Sequence, residues 1–386
     1  MPIYAVFLIV LLNMTAYRGS KVVITLFAID LGASQLYIGA LVAMYAVFPM
    51  LLGLYAGRLT DRLGVRLPMV AGTLGLAVGL AVPYLFPRLP ALYLSAIFIG
   101  ASWVFYNVCV QNLVGALSDV DSRARNFSNY GLVMAGGSFF GPLLSGFSID
   151  HAGHAQTYLY LAAVPLLSAL IVLSFRSIPS ARIGAAQGEE HAAYSANLLK
   201  NGPLRRTLIT GAIVMTGTDL FQFYMPIYGH EIGLSASVIG MILGAFAVAA
   251  FVVRLVMPAL VKRHGADSVL IWSLYVGGAS YLLFPIFESA LLLAGVAFIL
   301  GLGMGCSQPV SLMLIYDRAP PRRSGEALGL RLTINNFMHI AVPMIFGSLG
   351  TVLGVTPVFV ANALILAGGG LLSSRARPPA AGAKSA

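Results

Sequence analysis

The sequence predicts an all-α membrane protein of twelve transmembrane helices arranged as two pseudo-symmetric six-helix bundles. Three observations carry the prediction. Of the 386 residues, 59% are hydrophobic and only 9% charged, with a mean hydropathy of +0.88. A soluble domain carries about 25% charged residues, so water cannot cover this chain and a bilayer must. Second, the apolar residues fall into twelve stretches of the length a spanning helix needs, about 20 residues. Third, the chain repeats itself at an offset of 201 residues.

In chain order, span 1 covers about 3–29 and carries Asn13, Tyr17, Arg18, Lys21 and Thr25. On a 100° wheel these five form a stripe of about 140°, the pattern of a helix with one polar face. Its apolar run is interrupted by Asn13, Tyr17 and Arg18 and lacks a basic leader, so it is expected to be a span and not a cleaved signal. Spans 2 and 3 cover 36–57 and 67–86. Span 4, 91–116, presents Trp103, Asn107 and Gln111 one turn apart. Span 5, 126–148, is glycine-rich, and span 6 covers 156–176. Residues 178–203 read as a linker between the N-terminal bundle, 1–177, and the C-terminal bundle, 204–374.

The second bundle repeats the order. Span 7, 204–229, places Thr216, Asp219 and Gln222 on one face; span 8, 236–260, carries Arg254 near its end; span 9 covers 267–287. Span 10, 290–316, holds Gln308 at the repeat equivalent of Asn107. Span 11, 324–349, sets Arg331, Asn335 and His339 at i, i+4 and i+8. Span 12 covers 354–373, and 375–386 form a tail. Cys109 and Cys306 fall within spans 4 and 10 and read as small buried apolar residues.

The repeat is gapless. Met14-Thr15 aligns with Met215-Thr216, Ile38-Gly39 with Ile239-Gly240, Gly100 with Gly301, Pro142 with Pro343 and Gly146 with Gly347. Parallel repeats of this kind place a substrate site between the halves near the bilayer midplane. Charge sets the orientation. With the N-terminus inside, the inner loops and tail hold nearly every basic loop residue, from Arg58 and Arg62 to Arg375 and Lys384, whereas the outer loops hold Arg88 alone. That positive-inside bias puts both termini in the cytoplasm. It also accounts for the net charge of +10, so nucleic acid is not an expected partner.

The loop after span 2 reads Gly57-Arg58-Leu59-Thr60-Asp61-Arg62-Leu63-Gly64-Val65-Arg66. It resembles the signature G-x-L-a-D-r-x-G-r-[kr] of the major facilitator superfamily, and a weaker copy follows at Pro258–Gly265. The resemblance covers the whole chain. It implies a secondary transporter of the inner membrane that exposes one central site alternately to each side, without a cofactor and as a monomer. It implies gating roles for Gly57, Asp61, Arg62 and Gly64, with Gly57 letting span 2 approach a neighbour closely and Asp61 facing the positive end of span 11 near Ser324. Gly137–Gly146 in span 5 resembles the G-x-x-x-G-P-x-x-G-G element of drug/proton antiporters, with Ser145 in place of one glycine. An arginine those antiporters carry in span 4 is absent from Ser95–Ile99.

Ionisable residues inside spans are costly and mark function by default. Arg18, at roughly 22 Å along span 1, and Asp219 occupy repeat-equivalent positions with opposite charge. The substrate-binding candidates are Arg18, Tyr17, Lys21, Asn107, Gln111, Gln308, Arg331 and Asn335, with Asp219 as proton carrier beside Arg18. Three cations against one acid favour a small organic anion or zwitterion, which arginine grips bidentately, and proton-coupled transport is the expected activity. Two alternatives stay open: a drug/proton efflux antiporter, and a transporter-like membrane sensor without transport activity. No phosphate-binding G-x-x-x-x-G-K-[ST] loop is present, no metal site is expected from His151 and His154, and the inward-facing polar groups lack the nucleophile–base pair of an enzyme.

Overall fold

The computed structural model describes residues 2–119, 122–175, 198, 200–320 and 323–374; the expected linker (except Leu198 and 200–203) and the tail after Ser374 lie outside the described residues. All of its regular structure there is helical. The helices are α1 Ile3–Asp30, α2 Gln35–Leu63, α3 Arg66–Leu85, α4 Leu89–Ala116, α5 Arg123–Ser174, α6 Gly202–Glu231, α7 Ala236–His264, α8 Ala266–Leu283, α9 Ala290–Met304, α10 Ser307–Arg318, α11 Ser324–Leu353 and α12 Val355–Ser374.

Among the described residues, ten helical segments are long and apolar enough to cross a membrane, with α9 and α10 counted together as Ala290–Arg318. The ten differ from the expected twelve for two reasons. Spans 5 and 6 form the single element α5, broken only at Gly153, whose φ of +81° and ψ of 171° are not helical. The helix folds back there: a methyl group on Gly19 of α1 would touch both Ser145, eight residues before the break, and Leu161, eight residues after it. Span 7 is α6, which is not among the ten; its middle carries Thr216, Thr218, Asp219 and Gln222. Span 10 in turn is interrupted at Gly305 and Cys306, so Cys306 caps α10 at a helix break. Cys109 and Cys306 are both buried free thiols.

The repeat is written into the backbone. Six glycines have positive φ, Gly32, Gly64, Gly153, Gly233, Gly265 and Gly354, and they form three pairs 201 residues apart. Each ends one helix where the next begins, the left-handed geometry that only glycine adopts without strain. Side-chain contacts follow the same rule. Gly100 packs on the Met44 and Tyr45 carbonyls, and Gly301 on the carbonyl of Phe246, the repeat equivalent of Tyr45.

The seams α2–α11 and α5–α7 are related in the same way. A methyl group on Gly39 would strike the Pro343 carbonyl, and one on Gly240 the Pro142 carbonyl; Gly347 meets the Gln35 carbonyl and Gly146 that of Ala236. Small residues at these positions let backbones touch, which is how helices associate where no hydrophobic drive operates. A side chain caps each seam. The Asp150 carboxylate accepts from the amides of Ala236 (3.0 Å) and Ser237 (2.8 Å). At the repeat-equivalent place, Thr351 Oγ1 accepts from the Leu36 amide at 2.9 Å. All these contacts lie at the end of the bundle that holds Gly32 and Gly153. Toward the other, basic end, Gly53, Gly57, Gly131 and Gly329 have no neighbour within 4 Å of where a Cβ would stand. The α2–α11 and α5–α7 seams are therefore pressed together at one end and make no such close approach at these glycines toward the other.

The outer face is apolar, as a lipid-solvated surface must be: Leu51, Leu291 and Ile345 are among its exposed residues. Inside α6, α8 and α12 a buried aromatic cluster fills the space, with Phe284 5.5 Å from Phe221 and 5.6 Å from Phe359, centroid to centroid. Tyr281 donates to the Gly217 carbonyl at 2.5 Å, so its hydroxyl is satisfied in the core.

Candidate functional site: a cationic cavity at mid-depth

One cavity of about 620 Å³ lies where α1, α4, α6, α10 and α11 converge. Its polar wall is drawn from the stripes that the sequence put on one face of each helix. Tyr17, Arg18 and Lys21 come from α1, Asn107 from α4, Asp219 and Gln222 from α6, Gln308 from α10, and Arg331, Asn335 and His339 from α11. Of the eight substrate-binding candidates, seven line this cavity. Gln111 does not: one turn beyond Asn107 on the same face, it is exposed and lies past the end of the lining.

The aromatic part of the wall is built around Tyr17. Its ring stacks on Trp103 with centroids 4.0 Å apart and an interplanar angle of 15°. Lys21 Nζ sits 5.2 Å from the Tyr17 ring centre and 5.7 Å from that of Tyr45. Two ring faces thus flank the ammonium, which also lies within electrostatic reach of Asp219. The Tyr45 hydroxyl donates to Ser20 Oγ at 3.1 Å, and Tyr130 donates to Asn107 Oδ1 at 3.2 Å.

Arg18 and Asp219 are within electrostatic reach of each other, as expected from their equivalent positions, but they do not form a direct ion pair. Arg18 Nη1 instead donates to the amide oxygen of Gln222. Asp219 takes its partner from α11: its Oδ2 is 2.6 Å from His339 Nδ1. Gln222 lies three residues after Asp219 on the same face of α6, so it meets the guanidinium that reaches across from α1. His339 comes from a helix packed directly on α6. Arg18 Nε is buried with no hydrogen-bond partner, leaving a guanidinium donor available in a place where unsatisfied donors are costly.

Deeper toward the basic end, Arg331 Nη2 donates to Gln308 Oε1 at 2.8 Å, and Gln308 Nε2 contacts Met215 Sδ. Arg254 also lines the cavity and donates from Nε to the Gly305 carbonyl at 2.9 Å, at the break between α9 and α10. The sequence stripes missed Arg254 as a lining residue, since it has no polar neighbour at helical spacing. They missed His339 as the partner of Asp219 because pairing across helices leaves no mark on periodicity. The lining therefore holds four permanent cations, Arg18, Lys21, Arg254 and Arg331, against one carboxylate, Asp219.

The loop residues sit apart from this cavity. Gly64 has a φ of +76° and joins α2 to α3, and Arg62 is exposed. Gly57 makes no close approach: the space around it is open, because the α2–α11 seam is pressed together toward the other end of α2. The side chains of Asp61 and Ser324 lie outside the described residues.

A helical bundle with an apolar outer face and a charged chamber at mid-depth is the build of a membrane transporter. The chain belongs to the Major Facilitator Superfamily, whose family model matches residues 6–235 and 207–386. It is a multi-pass membrane transporter and not an enzyme. Quinolone resistance protein NorA of Staphylococcus aureus (strain MRSA252) is 23% identical over 88% of this chain and 87% of NorA. The uncharacterized MFS-type transporter YfkF of Bacillus subtilis (strain 168) is 22% identical over 59% of this chain, and the match spans 58% of YfkF. Among solved structures, a single-site variant of the nucleoside transporter NupG superposes with a TM-score of 0.81 at 14% identity, covering 97% of this chain and 98% of NupG.

Proposed function

We propose that the protein is a proton-coupled secondary transporter that moves a small organic anion or zwitterion across the inner membrane by alternating access. The observation that carries this reading is the charge of the cavity wall, four permanent cations against one carboxylate. Arg18, with a donor to spare, binds the substrate's anionic group. Tyr17, Asn107, Gln308, Arg331 and Asn335 orient the rest, and Lys21 adds charge from its aromatic seat. Asp219, paired with His339, carries the proton.

In this reading the chain crosses the membrane twelve times. The two arms of α5 count as two spans, α6 is a span whose polar face lines the cavity, and both termini lie in the cytoplasm with the basic loops. Residues 1–177 and 204–374 form the two bundles, 178–203 link them, and the protein works as a monomer. The pressed end is then the outer one and the structure is open inward. When the bundle rocks, Gly57, Asp61, Arg62 and Gly64 close the cytoplasmic side.

The rival within transporters is a drug/proton efflux antiporter. Similarity to NorA, named for quinolone resistance, and the glycine-rich element of α5 favour it. Lipophilic cations call for acids in the pocket, and the surplus of bases argues the other way. The test is thermal stability of the purified protein against small carboxylates, zwitterions and lipophilic cations. A ligand bound only to the folded state adds about 2.7 kcal/mol at a hundredfold excess over its dissociation constant. The proposal expects carboxylates to stabilise the wild type and not Arg18→Ala. Stabilisation by lipophilic cations alone, indifferent to Arg18, would refute it in favour of the antiporter.

A further inference from the structure

A second hollow, of about 550 Å³, lies between α1, α5 and α7. It is lined almost wholly by apolar side chains. Its mouth is formed by Leu8, Leu132 and Val248, which are 46%, 42% and 40% exposed on the outer, lipid-solvated face. Its inner wall is shared: Ala135, Ala247 and Phe251 line this crevice and the central cavity alike. The two spaces are neighbours across two alanines and the ring of Phe251, the apolar one opening sideways and the cationic one at mid-depth. The crevice borders the first three turns of α1, so it lies toward the basic end.

The repeat sharpens the point. The seam related to this one by the 201-residue offset carries Asn336 and Phe337 where this seam has Ala135 and Gly136. A polar amide and a large ring replace the two smallest residues of the crevice wall. The small pair is thus particular to this seam's sequence, and the Phe337 ring itself is 57% exposed.

We infer that the substrate is an anionic amphiphile, its charged head held by the cations of the central cavity and its apolar tail lodged in the crevice between α1, α5 and α7. The inference rests on the anion reading above and adds the apolar half of the molecule. The argument for a tail is adjacency. An apolar trough that ends on the wall of a cationic chamber matches one molecule with both characters. A head without a tail leaves the crevice unused, and a tail without a head leaves Arg18 Nε unsatisfied. The sideways mouth gives such a molecule a path from the bilayer leaflet at the basic end.

The crevice is plugged by placing a large ring at its smallest residue. A Cβ at Gly136 would stand 3.4 Å from Leu11 Cδ1, an ordinary contact, so Gly136→Phe extends its ring into open space. Val248→Phe, at a residue that lines the crevice and not the central cavity, plugs it from the opposite wall. The readout is the fluorescence of Trp103 on the cavity wall, made unique by Trp272→Phe, which removes the second of the two tryptophans from an exposed site. Butyrate serves as the head-only probe and dodecanoate as head and tail, in phosphatidylcholine nanodiscs, where partition of dodecanoate into lipid is the same for every variant. Burial of one methylene is worth about a fourfold gain in affinity.

The expected result is that both plugs weaken dodecanoate at least tenfold, roughly two methylenes' worth, and leave butyrate within about twofold. Dodecanoate binding that ignores both plugs overturns the tail site and makes the crevice a seat for bilayer lipid. Equal weakening of both probes overturns it too, since the plugs then act on the head site. If neither carboxylate binds the wild type, the anion reading itself falls, an outcome distinct from the other two.

Discussion

Asp219 Oδ2 and His339 Nδ1 lie 2.6 Å apart on the wall of the central cavity, and the histidine side is the more open, 39% exposed against 16%. A lone carboxylate inside a membrane protein is costly unless paired, and this one is paired with the only histidine of the cavity lining. We predict that Asp219→Asn abolishes accumulation driven by a pH gradient, at least tenfold in proteoliposomes, while substrate exchange without a gradient persists. Gradient-driven uptake at the wild-type rate in this variant would remove Asp219 from the coupling.

Arg18 yields a second prediction. Hydrogen bonds to charged groups contribute about 1.5–3 kcal/mol, so Arg18→Ala should weaken carboxylate binding by roughly ten- to a hundredfold, read by calorimetry. Arg18→Lys should fail to restore it, because an ammonium lacks the planar fork. Unchanged affinity in both variants would leave Arg18 a partner of Gln222 only.

The stack of Tyr17 on Trp103 makes a prediction about stability. Truncating a buried aromatic costs about 3–5 kcal/mol, so Trp103→Ala should lower the unfolding temperature markedly. Tyr17→Phe keeps both the stack and the seat of Lys21 and should stay near wild type. Tyr17→Leu loses the ring pairing, about 0.5–1.5 kcal/mol beyond area, and should fall between them.

The glycine seams predict a shift in conformation. Gly39→Val and Gly240→Val drive a side chain into a backbone carbonyl. Overpacking costs about 1–3 kcal/mol, and the cost applies only while the seams are closed. Maleimide labelling of a cysteine placed at Ser237 should accelerate by roughly five- to a hundredfold. The buried native thiols make a quiet background. Unchanged labelling would mean that the seams open without regard to these contacts.

How far the sequence foretold this molecule depends on the kind of signal each feature leaves. Arg18, Lys21, Asp219 and Arg331 were legible because a charge amid apolar residues stands out, and helical spacing said which neighbours shared its face. The glycine after α2 was legible from its motif. The partner of Asp219 was not, because His339 is 120 residues away in the chain and periodicity is blind to contacts between helices. Gln111 followed the same periodicity as Asn107, yet the pattern could not tell where the cavity stops. The closeness expected at Gly57 depends on which end of the seam is pressed together. The crevice left no polar mark at all, since small apolar residues such as Ala135 and Ala247 look the same lining a void as filling one.

The two seams are capped by unlike chemistry at equivalent places. Asp150 holds α7 with a carboxylate that accepts two amides, and α2 is held there, among the described residues, by neutral bonds only, from its Leu36 amide to Thr351 and from Tyr224 to its Gln35 side chain. Charge-assisted bonds are roughly twice as strong as neutral ones, so the near-twin halves are fastened with a strong clasp and a weak one. We expect the motion to be lopsided, with α2 parting from α11 before α5 leaves α7; spin labels across each seam would report unequal open fractions. Asp150→Thr should even the two fastenings and bring those fractions together. A molecule that inherited its architecture by copying itself thereby acquires a first step and a second.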